Sequence, residues 1–85
     1  MPRETHPQSR AAVLEAFRVA PTRRFPLSMI VDQVDKTSAE RFPVESIRAA
    51  VGWQADKGNL KHFRNDEMER DEWRLTDAGR DELGV

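Results

Sequence analysis

The chain has 85 residues, of which 38% are hydrophobic and 34% are charged, and its formal net charge is −1. This length allows one compact domain with a core of modest size and excludes a two-domain enzyme. The chain contains no cysteine, which excludes disulfides, thiolate metal sites and thiol redox chemistry. No apolar run is long enough to cross a bilayer, and the first residues lack the apolar stretch of a secretory signal. We therefore expect a cytoplasmic protein that has no membrane partner.

The near-neutral charge hides an asymmetry along the chain. Up to Arg64, eleven Lys and Arg residues stand against seven acids, whereas from Asn65 onward three Arg residues stand against eight acids. The body of the protein therefore has the charge to meet an anion, and the last quarter would repel one.

The N-terminal part of the sequence predicts a short lead-in followed by a helix. Residues 1–8 contain two prolines and no apolar periodicity, which indicates a flexible lead-in to a single domain over residues 9–85. Apolar residues then recur at helical spacing, so helix 1 is expected over about residues 10–20. Ser9 precedes this helix, and Pro21 prevents its continuation.

Two further helices are predicted in the middle of the chain. A short extended piece is expected near Phe25, between two prolines, and Ser28 is expected to cap helix 2. Phe42 is the expected apolar anchor of the polar connection that follows. Helix 3 is expected over about residues 44–57 and ends at Gly58, a residue that readily adopts the left-handed conformation.

The C-terminal part predicts a β-hairpin and a last helix. Residues 60–63 and 73–75 alternate as strands do, so a hairpin is expected over about residues 60–75, with a long acidic tip. Thr76 is expected to cap the last helix. Gly79 near its start lowers helix stability, so we expect that close packing requires a glycine there. The resulting fold class is mainly α with a small β-hairpin, in the order α-β-α-α-β-β-α.

Two segments resemble those of winged helix-turn-helix domains of small bacterial and archaeal regulators. The first is Ala-Asp-Lys-Gly-Asn-Leu at 55–60, where helix 3 runs through glycine into the first wing strand. The second is Trp-Arg-Leu-Thr-Asp-Ala-Gly-Arg-Asp-Glu-Leu at 73–83. The resemblance implies a DNA-binding transcription regulator, often dimeric, with helix 3 in the major groove and the hairpin as the wing. The sequence departs from this pattern at Gln54, where such domains commonly have a core leucine.

Helix 3 itself does not present a basic face. At about 100° per residue, the face opposite the buried stripe is small and acidic, with Arg48 and Trp53 on its flanks. In the major groove, Arg and Lys most often donate hydrogen bonds to guanine, whereas the carboxylates of Asp and Glu can accept hydrogen bonds only from cytosine. Only Arg48 is an obvious base reader here, and under the DNA-binding hypothesis the expected base-facing residues are Ser46, Arg48 and Ala49 near the start of the helix.

Positive charge surrounds helix 3 and could hold phosphates without reading sequence. Acids at the tip of the wing oppose a DNA contact there, so we expect this acidic tip to remain outside a DNA complex. The expected phosphate contacts are Arg23, Arg24, Arg41, Lys57, Lys61 and Arg64. The expected acids of the wing tip are Asp66, Glu67, Glu69, Asp71 and Glu72.

A protein partner is the alternative to DNA. In that interpretation Trp53, Ala49 and Gly52 form a docking face, and the acidic wing meets a basic partner. Packing of Trp53 against the wing or the terminal helix is the simpler role for this side chain. Trp73 is expected to cover the core. A homodimer is also compatible with the sequence.

Enzymatic signatures are missing from the sequence. There is no nucleophile elbow, phosphate loop, zinc signature or dinucleotide fingerprint, so no catalysis and no cofactor is expected. His6 and His62 are far apart in the sequence, and a metal site would need three or four convergent ligands. The sequence therefore predicts a binding domain without a metal.

Overall fold

The computed structural model describes residues 7–85, which form four α-helices, one 3-10 helix and a three-stranded antiparallel sheet. The elements in chain order are α1 (Pro7–Glu15), the 3-10 helix (Ala16–Val19), β1 (Phe25–Pro26), α2 (Leu27–Thr37), α3 (Val44–Lys57), β2 (Leu60–Asn65), β3 (Arg70–Leu75) and α4 (Asp77–Leu83). The α+β class and the order of the α-helices and strands agree with the sequence-based expectation. The 3-10 helix was not predicted.

The sheet consists of the β2–β3 hairpin and the short strand β1. β3 is its central strand, with β1 paired on one side and β2 on the other. Leu60 lies opposite Leu75, and Phe63 lies opposite Glu72. Because neighbouring residues of a strand point to opposite faces, the sheet has an inner face that carries the two buried leucines and an outer face that carries Phe63 and Glu72.

The core lies between the helices and the inner face of the sheet. Phe17 and Phe25 stack at its centre, with ring centroids 5.0 Å apart. Trp73 is half-buried and packs against this core, as predicted. The buried hydrophobic residues of the core are Val13, Leu14, Ala16, Phe17, Phe25, Ile30, Val34, Ile47, Ala50, Val51, Leu60 and Leu75.

The beginning of the first helix differs from the prediction. Pro7 and Gln8, which were assigned to the lead-in, belong to α1, and Ser9 is buried inside the helix and does not precede it. Proline is well tolerated in the first turn of a helix, because its missing N–H would have no intrahelical partner there. The remainder of the predicted lead-in, residues 1–6, lies outside the described residues.

The expected cap of the second helix is also wrong. α2 begins at Leu27, with the extended Pro26 before it, and no side chain caps its N-terminus. Ser28 therefore lies within the first turn, where it is exposed. By contrast, Thr76 caps α4 as predicted, since its hydroxyl accepts a hydrogen bond of 3.0 Å from the backbone N–H of Gly79.

The junction between α3 and β2 fixes the hairpin relative to the helices. Gly58 ends α3 in the left-handed conformation, with φ of 92°. Gln54 is buried, and its side-chain amide donates to the backbone oxygen of Arg10 in α1 at 2.9 Å. Close packing requires a glycine at position 79, as predicted, because a Cβ atom there would overlap the backbone oxygen of Asn59. α1, α3, β2 and α4 thus meet at this corner.

Candidate nucleic-acid interface

A groove of about 540 Å³ lies between the start of α2, α3 and the hairpin. Arg48 lines it from α3, Arg64 from β2 and Arg70 from β3. The groove therefore brings together the expected base-facing arginine and one of the expected phosphate contacts. Arg70 was not predicted as part of the site.

Two acids share this groove, and one of them is already engaged. Oδ1 of Asp71 lies 2.8 Å from Nε2 of His62 and 3.7 Å from the guanidinium of Arg64. The hydrogen bond with His62 and the nearby positive charge lower the pKa of Asp71. Glu69, the other acid, is exposed at the end of the turn. The charge of Asp71 is thus partly offset before any ligand arrives.

Arg48 is the cation of the groove that is available to a ligand. It is exposed on α3, and it forms no ion pair within residues 7–85. By contrast, Arg64 forms long ion pairs with Asp71 and Asp66. Arg70 forms an ion pair of 2.9 Å with Glu72. A new anion at Arg48 would not have to displace an acid of the protein.

The three expected base-facing residues do not lie together. Ser46 and Arg48 are about 160° apart around α3 at 100° per residue. Arg48 lines the groove, whereas Ser46 and Ala49 do not and are half-buried. The structure therefore assigns only Arg48 of this set to the groove.

The six expected phosphate contacts also occupy separate places. Arg64 lines the groove, Arg24 and Lys61 lie against Phe63 on the outer face of the sheet, and Lys57 lies over Trp53. Arg23 and Arg41 are exposed in the connections before β1 and α3. These side chains do not form one continuous basic strip.

Phe63 is surrounded by cations. The Arg24 guanidinium lies 3.9 Å from the centre of its ring, that of Arg74 lies 5.1 Å away, and Nζ of Lys61 lies 5.4 Å away. Sequence reasoning did not select Arg74. The signal was present in the alternation of the hairpin, because Lys61 and Arg74 occupy directly opposite positions on one face.

Glu72, the acid opposite Phe63, is not a free surface charge. Its side chain is buried beneath hydrogen bonds from Arg70 at 2.9 Å and from Asn65 at 3.1 Å. The hydrogen bond from Arg70 is the main cause that lowers the pKa of Glu72, and Asn65 and the charge of Arg24 act in the same direction.

The acidic tip of the hairpin is shorter than predicted. β2 extends to Asn65 and β3 begins at Arg70, so the tip is a turn over residues 66–69. Asp71 and Glu72 belong to β3 and are wrong as tip residues. Both acids have partners on β2, since Asp71 bonds to His62 and Glu72 bonds to Asn65. The turn is held by a 3.1 Å hydrogen bond from the backbone N–H of Met68 to Oδ1 of Asn65.

Two cations that were not expected beside Trp53 lie against its ring. The ring is half-buried, with the Arg10 guanidinium 4.2 Å from its centre and Nζ of Lys57 4.9 Å from it. These cations come from α1 and from α3 itself, although Leu83 of α4 lines the same cavity. Gly52 beside it is exposed, and a Cβ atom there would have no neighbour within 4 Å.

Other kinds of site are not indicated in the described part of the chain. Residues 7–85 contain no group of three or more His, Cys, Asp or Glu side chains placed to hold a metal ion. In the same range, no helix is both long and apolar enough to span a membrane. The chain matches no family model, and no curated protein is significantly similar to it.

Proposed function

We propose that the protein binds double-stranded DNA as a small winged-helix transcription regulator, with α3 in the major groove and the hairpin as the wing. The observation that carries the proposal is the position of Arg48. Its side chain is exposed and without an ion pair in the described structure, and it lines a groove together with Arg64 of the hairpin. A single groove thus combines a candidate base reader and a candidate phosphate contact.

The chemistry of these side chains suits a nucleic acid. An arginine donates two parallel hydrogen bonds to the O6 and N7 atoms of guanine, or to a phosphate. In this proposal Arg48 reads a base, while Arg64 holds the backbone and sets the orientation. Removal of Arg48 should then change which sequences are bound, and removal of Arg64 should weaken binding to all sequences alike.

The same proposal accounts for the small residue in the middle of α3. Gly52 is exposed, with open space where a side chain would stand. A helix position without a side chain allows the edge of a groove to approach the backbone closely. Glu45 and Asp56 on this side of α3 limit how much phosphate can lie near it, so the proposal assigns few contacts to the helix itself.

Selection of bound sequences from a random duplex library tests the assignment of Arg48. The wild-type protein should enrich a motif, and Arg48→Ala should lose the preference at one or two positions of that motif. Arg18→Ala is the matched control, because Arg18 is exposed and pairs with Glu15, away from the groove. An unchanged motif with Arg48→Ala would contradict this role.

A further inference from the structure

We infer that the outer face of the β2–β3 hairpin is a second binding surface, which stacks and holds a single strand of nucleic acid. This surface comprises Arg24, Lys61, Phe63 and Arg74, and we call it the outer patch. Phe63 and Arg64 are neighbours on β2 and so point to opposite faces of the sheet. The outer patch is therefore distinct from the groove, and the inference goes beyond the proposed function.

The position of Phe63 is the first argument. The ring is half-buried, but it is not among the side chains that pack against the core. It lies on the outer face of the sheet, opposite the surface that covers the helices. Its aromatic ring is thus not needed to fill the interior, in contrast to Phe17 and Phe25.

The charges around the ring are the second argument. Arg24, Lys61 and Arg74 all lie within 5.4 Å of the ring centre, and none of them forms an ion pair in residues 7–85. Nε of Arg74 is buried and has no hydrogen-bond partner in the described structure. Glu72, the acid nearest to the ring in the register, is buried and bonded to Arg70, although the charge of Arg24 also acts on it.

Two of these cations repel each other in the isolated fold. Lys61 and Arg74 stand directly opposite each other on neighbouring strands, and like charges in such a pair destabilise a sheet. An anion bound between them would remove this repulsion. A phosphodiester meets the requirement, because it is an anion whose oxygens accept hydrogen bonds from guanidinium and ammonium groups.

The aromatic ring selects a single strand over a duplex. The faces of duplex bases are covered by their neighbours in the stack, whereas an unpaired base exposes its face to a ring. Proteins that hold single strands combine such rings with positively charged surfaces that follow the backbone. In the outer patch a base would stack on Phe63 in place of the exposed Arg24 side chain, which would then be released toward a phosphate.

The test is the affinity of the full chain for a fluorescent oligothymidine of about ten nucleotides, within the usual range of site sizes for a single-strand-binding surface. Phe63→Leu should weaken this binding by about tenfold, the size expected for the loss of one stacked base. The affinity of the Phe63→Leu variant for duplex DNA should stay unchanged. The variant should still fold, because Phe63 is outside the core, and thermal melting checks this.

A matched pair of lysine variants tests the charge. Lys61→Met should weaken oligothymidine binding severalfold and should not lower the melting temperature, since it relieves the repulsion with Arg74. Lys36→Met changes the net charge equally, but Lys36 pairs with Asp32 on α2, so it should have little effect on binding. Equal effects of the two lysine variants, unchanged binding by Phe63→Leu, or failure of the wild type to bind oligothymidine would each overturn the inference.

The same variants separate this inference from the proposed function. Binding of the enriched duplex motif that falls with Arg48→Ala but not with Phe63→Leu supports the groove as the duplex site. If oligothymidine binding then depends on Phe63 and Lys61, both proposals stand. Oligothymidine binding without any duplex binding would support the outer patch and overturn the proposed function alone.

Discussion

The side-chain amide of Asn59 donates a hydrogen bond of 2.7 Å to Oε1 of Gln54, and both side chains are buried. The backbone N–H of Asn59 also donates to the backbone oxygen of Gln54, at 2.9 Å. Since the Gln54 amide donates in turn to α1, this pair connects the first helix with the end of α3 and the start of the hairpin. It thereby helps to set the position of the hairpin beside α3, on which the groove depends.

Replacement of Gln54 by leucine should destabilise the fold, although leucine would suit an apolar core. The side-chain amide of Asn59 would lose its buried acceptor, at a cost of about 1 to 3 kcal/mol. Urea denaturation of Gln54→Leu should show this loss. Gln8→Leu at an exposed site of α1 is the control and should have little effect. A Gln54→Leu variant as stable as the wild type would show that the pair does not hold the corner.

Two glycine-to-alanine substitutions should have opposite effects on stability. Gly52→Ala fills open space within α3 and should stabilise the protein by about 0.5 to 1 kcal/mol, because alanine has the higher helix propensity. Gly79→Ala would press a Cβ atom against the backbone of Asn59 and should destabilise it by about 1 to 3 kcal/mol. Thermal melting of both variants checks the signs, and the same sign for both would contradict the packing described.

Gly52→Ala also tests close approach to α3. If a ligand lies against this part of the helix, the more stable variant should bind it less tightly, since the added methyl group occupies the contact. Duplex binding by Gly52→Ala, compared with the wild type, is the measurement. Unchanged duplex affinity would exclude a duplex contact at this part of α3 and leave the protein-docking alternative for Gly52 and Trp53.

The buried carboxylate of Glu72 should make the stability depend on acid pH. Because its pKa is lowered in the folded protein, chiefly by the hydrogen bond from Arg70, the unfolded chain binds the proton more readily. The stabilisation is therefore present above the ordinary glutamate pKa of about 4.3 and is lost as the pH falls below it.

Glu72→Gln should remove this part of the pH dependence. The variant should be less stable than the wild type at neutral pH, and the difference should shrink as the solution is acidified through the ordinary glutamate range. Urea midpoints measured at about pH 7 and about pH 3 give the comparison. Glu67→Gln in the exposed turn is the control and should follow the wild type. A constant difference between Glu72→Gln and the wild type would contradict the assignment.

The sequence predicted those parts of the fold that depend on local patterns. The apolar stripe of α3, with Ile47, Ala50 and Val51, and its end at Gly58 follow from helical periodicity and backbone preference. The start of α1 was missed because Ser9 has the character of a cap, whereas tertiary packing buries it. Ser28 was misjudged in the same way, because the preceding Pro26 already directs the chain into α2.

The candidate sites were harder to predict than the fold, because they depend on register. Residue types alone suggested one set of phosphate-binding cations, but in the sheet Arg64 and Lys61 point to opposite faces, and only Arg64 lines the groove. The pairing also buries Glu72, which composition alone had placed at the acidic tip. Neither result is visible before the register is known.

Binding of a labelled random-sequence duplex, followed by fluorescence anisotropy, tests the proposed DNA-binding function most directly. The wild-type protein should bind at low salt, and its affinity should fall steeply between about 50 mM and about 200 mM salt. Arg64→Met should flatten this salt dependence by about one phosphate contact, since Arg64 is assigned to the backbone. Absence of duplex binding by the wild type even at low salt would contradict the proposed function.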